Sequence, residues 1–166
     1  GVILADTGVK LQQKLHQIYS GSCKLEDDTA VIIDTTKAEY IKEKFKGKII
    51  GVFYKYKAEW DILHSVFGDE ITQDENNKTK NIAGQVQSIR EGTDLKHCDA
   101  LVFYNIDFSN VSYLQARDRA NGLDVDGSDV YFTFAKGGIE EKIYKTITVD
   151  KKKYNLSAFK KDYNVK

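Results

Sequence analysis

The sequence predicts an α/β fold of three layers, in which a mostly parallel sheet is covered by helices on both faces. Short apolar runs suited to buried strands alternate along the chain with amphipathic segments of helical period, a pattern typical of parallel sheets. The chain has 166 residues, 41% of them hydrophobic, which is enough for one domain with its own core. No repeat or low-complexity linker interrupts the pattern, so we expect a single domain over residues 1–166.

The first half of the chain predicts three helices and two strands. Apolar residues on one face indicate the first helix, a capping box in TKAE opens the second, and glycines end the first and the third. The predicted elements are a helix over 9–19 that stops at Gly21, a buried strand over 30–34, a helix over 36–45, a buried strand over 48–54, and a helix over 58–67 ended by Gly68.

The second half predicts three more strands. In order, its segments are a polar, acidic loop over 69–80, a strand over 82–89, a glycine-containing turn (REGTDL), a strand over 100–105, a helix over 111–121 capped by Asn110, a strand over 129–135, and a helix after Gly138. Residues 138–166 are predicted to form a basic, helical C-terminal tail.

Composition excludes several classes of protein. Lys+Arg and Asp+Glu both number 25, so net charge alone indicates no polyanionic or polycationic partner. No apolar run approaches the roughly 18 residues of a membrane span, and no signal peptide opens the chain. The two cysteines, Cys23 and Cys98, do not suit a disulfide framework or a CxxC zinc site, which favours a reducing cytoplasm. Because residue 1 is glycine and methionine is absent, we expect a fragment of a longer protein.

The segment over 85–122 is the strongest candidate for a binding site. Open α/β sheets bind ligands beyond the carboxyl ends of their strands, and this segment holds the three arginines of a chain with 22 lysines. On the predicted helix, Gln115 and Arg119 share a face, whereas Arg117 points elsewhere. Guanidinium groups and a carboxylate suit phosphate and ribose recognition. A set of surface salt bridges with neighbouring aspartates explains the same residues equally well.

Other features of the sequence are weaker evidence for a functional site. AVIID, which ends at Asp34, resembles a metal-holding strand end, but Asp34 more simply caps the following helix. His97, Cys98 and Asp99 are reactive residue types, yet three adjacent side chains do not converge on one point. The phosphate-binding patterns GxxxxGK[ST] and GxGxxG are absent, so this chain alone is not expected to bind a nucleoside triphosphate in the usual way.

Several segments resemble the C-terminal lobe of superfamily 2 helicases, closest to the phage-type DEAD/DEAH and Swi/Snf-like members. REGTDL and DALVFYNIDFSNVSYLQARDRA are similar to motifs V and VI, and KIIGVFYKYKAEWDIL is similar to motif IV. LHQIYSG resembles the segment that joins the two motor lobes, and DVYFTFAKGGIEEKIYKTI resembles the final strand and helix. The resemblance implies a RecA-like (P-loop NTPase-type) domain that lacks its own P-loop, with residues 1–21 as the inter-lobe connecting helix.

The resemblance also implies roles for individual residues, carried over by position. The catalytic residues, which stabilise charge on the transferring phosphoryl group, would be Arg119, Arg117 and Gln115. The nucleotide-binding residues would be Gly92, Asp94 and Arg90. The residues that face nucleic acid would be Tyr54, Lys55, Lys57 and Ser88. The second arginine of motif VI is replaced by Gly122, which puts ATP hydrolysis in doubt.

The tail provides a separate hint of nucleic-acid binding. Eight lysines lie between 142 and 166, including Lys151, Lys152 and Lys153. Interleaved tyrosines at 144, 154 and 163 suit base stacking, as the lysines suit phosphate contacts. An ordinary solvated C-terminal helix is the alternative interpretation.

The implied function is the C-terminal motor lobe of an ATP-dependent helicase or translocase, encoded by a phage or prophage and active in the bacterial cytoplasm. ATP and Mg²⁺ would bind between this lobe and an N-terminal RecA-like lobe of the same polypeptide, and DNA or RNA would run along both lobes. The isolated chain is expected not to hydrolyse ATP, since half of the site is absent. The alternative is a free-standing, non-enzymatic module that binds nucleic acid or a protein; no cofactor fingerprint supports a Rossmann-like enzyme.

Overall fold

A five-stranded parallel sheet forms the centre of the molecule. The computed structural model describes residues 3–86, 95–107, 129–150 and 153–165. Its strands are β1 Ser22–Lys24, β2 Ala30–Ile32, β3 Ile50–Tyr54, β4 Ile71–Thr72, β5 Asn81–Gln85, β6 Ala100–Phe103 and β7 Asp129–Phe132. The large sheet has the order β4-β5-β3-β6-β7, and each neighbouring pair is parallel. The predicted α/β fold with a parallel sheet is therefore confirmed.

Five helices are described around the sheets: α1 Gly8–Tyr19, α2 Thr36–Lys44, α3 Lys57–Phe67, α4 Ile139–Thr148 and α5 Leu156–Tyr163. The helices predicted from amphipathic patterns over 9–19 and 58–67 are confirmed, each beginning one residue earlier than expected. The helix predicted over 111–121 lies outside the described residues. Within the ranges that are described, no helix combines the length and the apolar character that crossing a bilayer requires.

The two faces of the sheet carry separate apolar clusters, because successive side chains of a strand point to opposite faces. On one face, Val52 and Tyr54 of β3 pack against α2 and α3, whose Ile41 and Ile62 are fully buried. On the other face, Phe53 packs with a second cluster made of Ile82, Val86, Leu95, Cys98, Leu101 and Phe103. The core predicted from continuous apolar strands is thus divided by the sheet into two layers.

A third cluster joins α1, α4 and α5 beside the large sheet. Ile139 and Ile143 of α4 and Phe159 of α5 are fully buried there, and Leu15 of α1 packs against them. The face that α1 buries differs from the prediction in one respect, since Val9 is 56% exposed. Three polar residues of α1 are buried instead: Gln12, His16 and Gln17.

The buried strand predicted over 30–34 is wrong. β2 pairs only with β1, in a two-stranded antiparallel ribbon that is separate from the large sheet. One face of so small a ribbon stays in solvent, so Val31, Ile32 and Ile33 are 43%, 45% and 51% exposed. The ribbon is joined at Gly21, whose carbonyl oxygen accepts from the backbone N–H of Ile33 at 2.8 Å. Gly21 has φ +96°, and a Cβ there would lie 2.3 Å from the carbonyl oxygen of Asp34.

Smaller corrections concern element ends. The second helix begins at Thr36 after Thr35, whose hydroxyl donates to Glu39 Oε1 at 2.7 Å, so the predicted capping residue was one position late. The segment predicted as a loop over 69–80 contains a 3-10 turn and the short strand β4, because Ile71 is buried in the core. β5, β6 and β7 end two to four residues earlier than predicted, whereas β3 ends at Tyr54 as predicted.

Candidate functional site at the carboxyl edge of the sheet

The carboxyl ends of β3 and β6 bring polar residues together at one edge of the sheet. The two strands are parallel neighbours, with Phe53 opposite Phe103. Lys55 and Tyr56 follow β3, while Asn105 and Asp107 follow β6. This is the edge at which open α/β sheets bind ligands, so it is the candidate functional site.

A buried carboxylate, Glu59 in the first turn of α3, fixes both strand ends. Its Oε2 accepts from the backbone N–H groups of Lys55 at 2.8 Å and Tyr56 at 3.0 Å. Its Oε1 accepts from the side-chain amide of Asn105. Burial raises the pKa of Glu59, and the hydrogen bonds that it accepts, including one from Ser20, oppose that rise. One side chain therefore sets the position of the two segments that follow β3 and β6.

Lys55 and Asp107 form a salt bridge across these two segments. Their side chains keep 19% and 13% of their exposure, so the pair lies at the rim of the edge rather than in the interior. The carbonyl oxygen of Lys55 accepts from Gln85 Nε2 at 2.9 Å, which ties β5 to the same point. Three neighbouring strands of the sheet thus converge on Lys55.

A second pair, Lys37 with Glu140, lies deeper. Lys37 Nζ is 2.7 and 2.9 Å from the two carboxylate oxygens of Glu140, and it also donates to the carbonyl oxygen of Tyr104 at 3.1 Å. The Glu140 side chain has no exposure. Burial raises the pKa of Glu140 to about 7, although the Lys37 charge acts in the opposite direction. The pair holds the start of α4 against α2 and the segment that follows β6.

His16 is the polar residue that α1 buries against this edge. Its Nδ1 lies 2.9 Å from the Tyr56 hydroxyl, and the two rings meet edge to face. Burial lowers the pKa of His16 to about 3, and the charges of Lys55 and Lys37 act in the same direction. The imidazole is therefore neutral near pH 7, which suits a structural contact and not proton transfer.

The residues predicted to face nucleic acid are not equivalent in the structure. Lys57 is exposed at the start of α3, and Lys153 is exposed ahead of α5. Tyr54, in contrast, is buried in the core, and its hydroxyl accepts from Gln73 Nε2 at 2.6 Å. Its ring faces α2 and α3, since alternate residues of a strand face the same side, so Tyr54 offers no free surface to a base.

Many of the predicted site residues lie outside the described residues. They comprise the candidate catalytic set Gln115, Arg117 and Arg119, the candidate nucleotide-binding set Arg90, Gly92 and Asp94, and the candidate nucleic-acid contacts Ser88, Lys151 and Lys152. Of the thirteen residues that the sequence predicted as site residues, three lie at exposed or partly exposed positions in the structure: Lys55, Lys57 and Lys153.

The tyrosines of the C-terminal tail take part in the packing of α4 and α5. Tyr154 is 1% exposed, and its hydroxyl lies 3.0 Å from Asp162 Oδ2. Tyr144 and Tyr163 pack against the cluster of α1, α4 and α5. The Lys142 ammonium lies 4.4 Å from the centre of the Tyr163 ring. The buried Tyr154 is thus closed to base stacking, and stacking by the partly buried Tyr144 and Tyr163 stays a prediction.

Two other candidates from the sequence have structural roles. Asp34 Oδ1 accepts from the backbone N–H of Thr36, the first residue of α2, at 2.6 Å, and hydrogen bonds from Thr36 lower the pKa of Asp34. Asp99 Oδ2 accepts from the backbone N–H of Ile49 at 2.8 Å and so ties the starts of β3 and β6 at the opposite edge of the sheet. Among the described residues, no group of three or more His, Cys, Asp or Glu side chains could hold a metal ion.

A cleft of about 660 Å³ beyond β7 was not predicted. Tyr19, Tyr40, Phe132 and Phe134 contribute its aromatic walls. Lys37 also lines it, but the Lys37 charge is already balanced by Glu140. The sequence carried no signal for this cleft, because its walls come from three segments that are more than ten residues apart in the chain.

The comparisons with known proteins concern the fold. No protein-family model and no curated protein matches the chain. Among solved structures, the chain is similar to the crystal structure of the C-terminal part of the Fun30 ATPase domain, with a TM-score of 0.60 and 17% sequence identity. The match covers 78% of this chain and 52% of that chain, so this chain spans about half of its length. At this level of identity, the likeness establishes a shared α/β fold, in agreement with the RecA-like arrangement that the sequence predicted.

Proposed function

We propose that this chain is the C-terminal motor lobe of an ATP-dependent helicase or translocase. The observation that carries the proposal is the agreement between fold and motif position. The segment that resembles motif IV contains β3, and the segment that resembles motif VI contains β6. These neighbouring strands end at the same edge of the sheet. The likeness of the fold to the C-terminal part of an ATPase domain supports the same assignment.

In this proposal, ATP and Mg²⁺ are held mainly by a P-loop lobe of the same polypeptide, and this chain completes the site. ATP bound there would supply the phosphoryl group that is transferred to water. Arg119, with Arg117, would stabilise the charge that develops on that group, which for arginine fingers in general is worth about 10³ to 10⁵ in rate. Gln115 would belong to the same set, while Arg90, Gly92 and Asp94 would line the nucleotide. Gly122 removes one arginine from the family pattern, so Arg119 carries the main role.

The nucleic-acid interface in this proposal lies along the rim of the carboxyl edge. Lys57 is exposed there, and Lys55, two residues earlier in the chain, is partly exposed. Lysines at this rim would bind phosphates as point charges and not bases, so we expect contacts that are independent of sequence. Ser88, Lys151, Lys152 and Lys153 are further proposed contacts. Tyr54 is not included, because its ring is buried.

Binding of a single-stranded oligonucleotide to the chain, followed by fluorescence anisotropy as a function of salt concentration, tests this interface. We expect weak binding that falls as salt rises, and a Lys57→Gln variant that reduces the salt slope by about 0.7. Lys46→Gln is the matched control, because Lys46 is exposed after α2, near the amino ends of the strands. Equal slopes for the wild type and Lys57→Gln would contradict the proposed position of the interface.

A free-standing binding module is the second candidate. The absence of a P-loop from this sequence and the glycine at position 122 favour it. Such a module would bind the oligonucleotide tightly, with a steep salt dependence and no effect of ATP. A motor lobe would bind weakly until its partner lobe is supplied. The encoding phage or prophage and the bacterial cytoplasm remain predictions of the sequence resemblance.

A further inference from the structure

Lys55 differs from the other lysines at the proposed strand interface in its partner. In the described part of the chain, Lys57 and Lys153 form no salt bridge, whereas Lys55 is paired with Asp107. The ammonium that follows the central strand is therefore already neutralised by a carboxylate of the same chain. A phosphate that approaches Lys55 meets an ammonium group that already forms a salt bridge.

The backbone on both sides of this pair is held in place. The buried Glu59 carboxylate accepts from the backbone N–H of Lys55 at 2.8 Å and from the side chain of Asn105, two residues before Asp107. The Lys55 carbonyl oxygen is fixed by Gln85 at 2.9 Å. The two charges consequently stay within reach of each other even when their contact is broken, which keeps the carboxylate at a high local concentration.

The two pairs at the edge differ mainly in the burial of their carboxylates, since Asp107 keeps 13% exposure and Glu140 keeps none. Glu140 has no exposure and Lys37 has 12%, so that pair is part of the interior. Lys55 and Asp107 keep 19% and 13%, and their segments lie at the rim. A carboxylate and a phosphate oxygen are alternative anionic acceptors for one ammonium group. A ligand phosphate can therefore exchange with Asp107 without opening the core.

We infer that Asp107 sets the affinity of the chain for a nucleic-acid strand by competing with the strand phosphate for Lys55. This inference rests on the proposed function of the edge as a nucleic-acid interface. Strand binding exchanges the Lys55–Asp107 salt bridge for a Lys55–phosphate contact and separates the Asp107 carboxylate from Lys55. Because the salt bridge must be broken, the chain binds the strand less tightly than it would if Lys55 had no carboxylate partner. Asp107 therefore keeps strand binding weak and reversible.

An Asp107→Asn variant tests the inference in the same anisotropy titration. We expect Asp107→Asn to bind a single-stranded oligonucleotide about two- to fivefold more tightly at low salt, the range that a partly exposed salt bridge covers. Its salt slope should equal that of the wild type, because the exchange makes the same Lys55–phosphate contact in both proteins, whereas Lys55→Gln should reduce the slope by about 0.7. Lys55→Gln should weaken binding. Asp107→Asn should have no effect in the Lys55→Gln background, because the ammonium group for which Asp107 and the phosphate compete is then absent.

Glu70→Gln is the matched control. Glu70 pairs with Lys42 at 3.0 Å, immediately before β4 and so at the opposite edge of the sheet. The substitution removes one negative charge and the carboxylate partner of one lysine, as Asp107→Asn does, so an effect of net charge alone would appear equally in both variants. Tighter binding by both would overturn the inference, as would unchanged binding by Asp107→Asn. A wild-type chain with no salt-dependent binding would contradict the proposed function itself and the inference with it.

Circular dichroism establishes that each variant is folded. If Asp107→Asn does not fold, the wild-type chain supplies the test through the ¹³C resonance of the Asp107 carboxylate. The inference predicts that this resonance shifts when the oligonucleotide is added, since the carboxylate loses Lys55. A resonance that stays unchanged at saturation, while neighbouring signals shift, would overturn it.

Discussion

The Lys37 ammonium group lies 2.7 and 2.9 Å from the two carboxylate oxygens of Glu140, whose side chain is fully buried. The residues are 103 positions apart in the chain, and their contact holds α4 against α2 at the carboxyl edge of the sheet. Because a buried charge depends on its partner, this pair has consequences for stability that an exposed pair does not have.

Replacing Lys37 by methionine should destabilise the fold strongly. The variant leaves the Glu140 carboxylate buried without its countercharge, a loss that costs about 3–5 kcal/mol in buried pairs. Urea unfolding measures the change, and Lys37→Met combined with Glu140→Leu should recover part of it. Lys10→Met, which removes the partner of Asp6 in an exposed salt bridge, is the control and should change stability little. A Lys37→Met variant as stable as the control would contradict this account.

The raised pKa of Glu140 predicts a pH dependence of stability. Burial raises this pKa from 4.5 to about 7, so the folded state binds the proton more tightly than the unfolded chain does. The resulting stabilisation is fully present below about pH 4.5 and is lost as the pH rises through about 7. The free energy of unfolding of the wild type relative to Glu140→Gln should therefore fall between these pH values, by at most about 1.4 kcal/mol per pH unit. A difference that does not change with pH would contradict the burial of this carboxyl group.

His16 should make the stability of the fold depend on pH in the opposite sense. Burial lowers its pKa from 6.5 to about 3, so the unfolded chain binds a proton that the folded state excludes. This contribution is present above about pH 6.5 and is lost as the pH falls towards 3. The stability of the wild type relative to His16→Gln should consequently rise with pH over that window. Because Glu140 acts in the reverse sense from pH 4.5 to 6.5, the two variants need to be compared with the wild type separately.

Gly138 should be intolerant of any side chain. It precedes α4 with an ordinary φ of −82°, yet a Cβ there would lie 2.7 Å from the Cδ1 atom of Tyr19. Gly138→Ala should cost about 1–3 kcal/mol, as for overpacking in general, and should shift the thermal midpoint downwards. Tyr19→Ala made in addition should remove the clash, so that adding Gly138→Ala costs little. An undiminished cost in the Tyr19→Ala background would show that the ring is not the obstacle.

The elements that the sequence predicted correctly are those in which local pattern and tertiary environment agree. Lys57–Phe67 has helical period and one apolar face, and Ile50–Tyr54 and Ala100–Phe103 are continuous apolar runs buried on both faces of the sheet. The run at Val31 to Ile33 has the same composition but pairs only with a three-residue strand that carries no signal of its own. Composition alone does not reveal which apolar run enters the large sheet.

In the candidate site, too, the local sequence pattern did not reveal contacts between distant segments. The edge of the sheet and the exposed Lys57 followed from strand ends and motif order. The contacts that build the edge did not, because they join residues far apart in the chain: Lys37 with Glu140, His16 with Tyr56, Glu59 with Asn105, and Lys55 with Asp107. The burial of Tyr54 depends on which face of β3 meets α2 and α3, and a strand that is apolar throughout does not specify it.

Strand-stimulated ATP hydrolysis by the intact protein, compared between the wild type and Arg119→Ala, tests the central claim most directly. Lys46→Ala, an exposed position near the opposite edge of the sheet, is the control. The account predicts hydrolysis by the wild type and the control, and a loss of about 10³-fold or more in Arg119→Ala with strand binding retained. Hydrolysis by Arg119→Ala at the wild-type rate, or an intact wild-type protein that binds a strand and does not hydrolyse ATP, would contradict the assignment of this chain as a motor lobe.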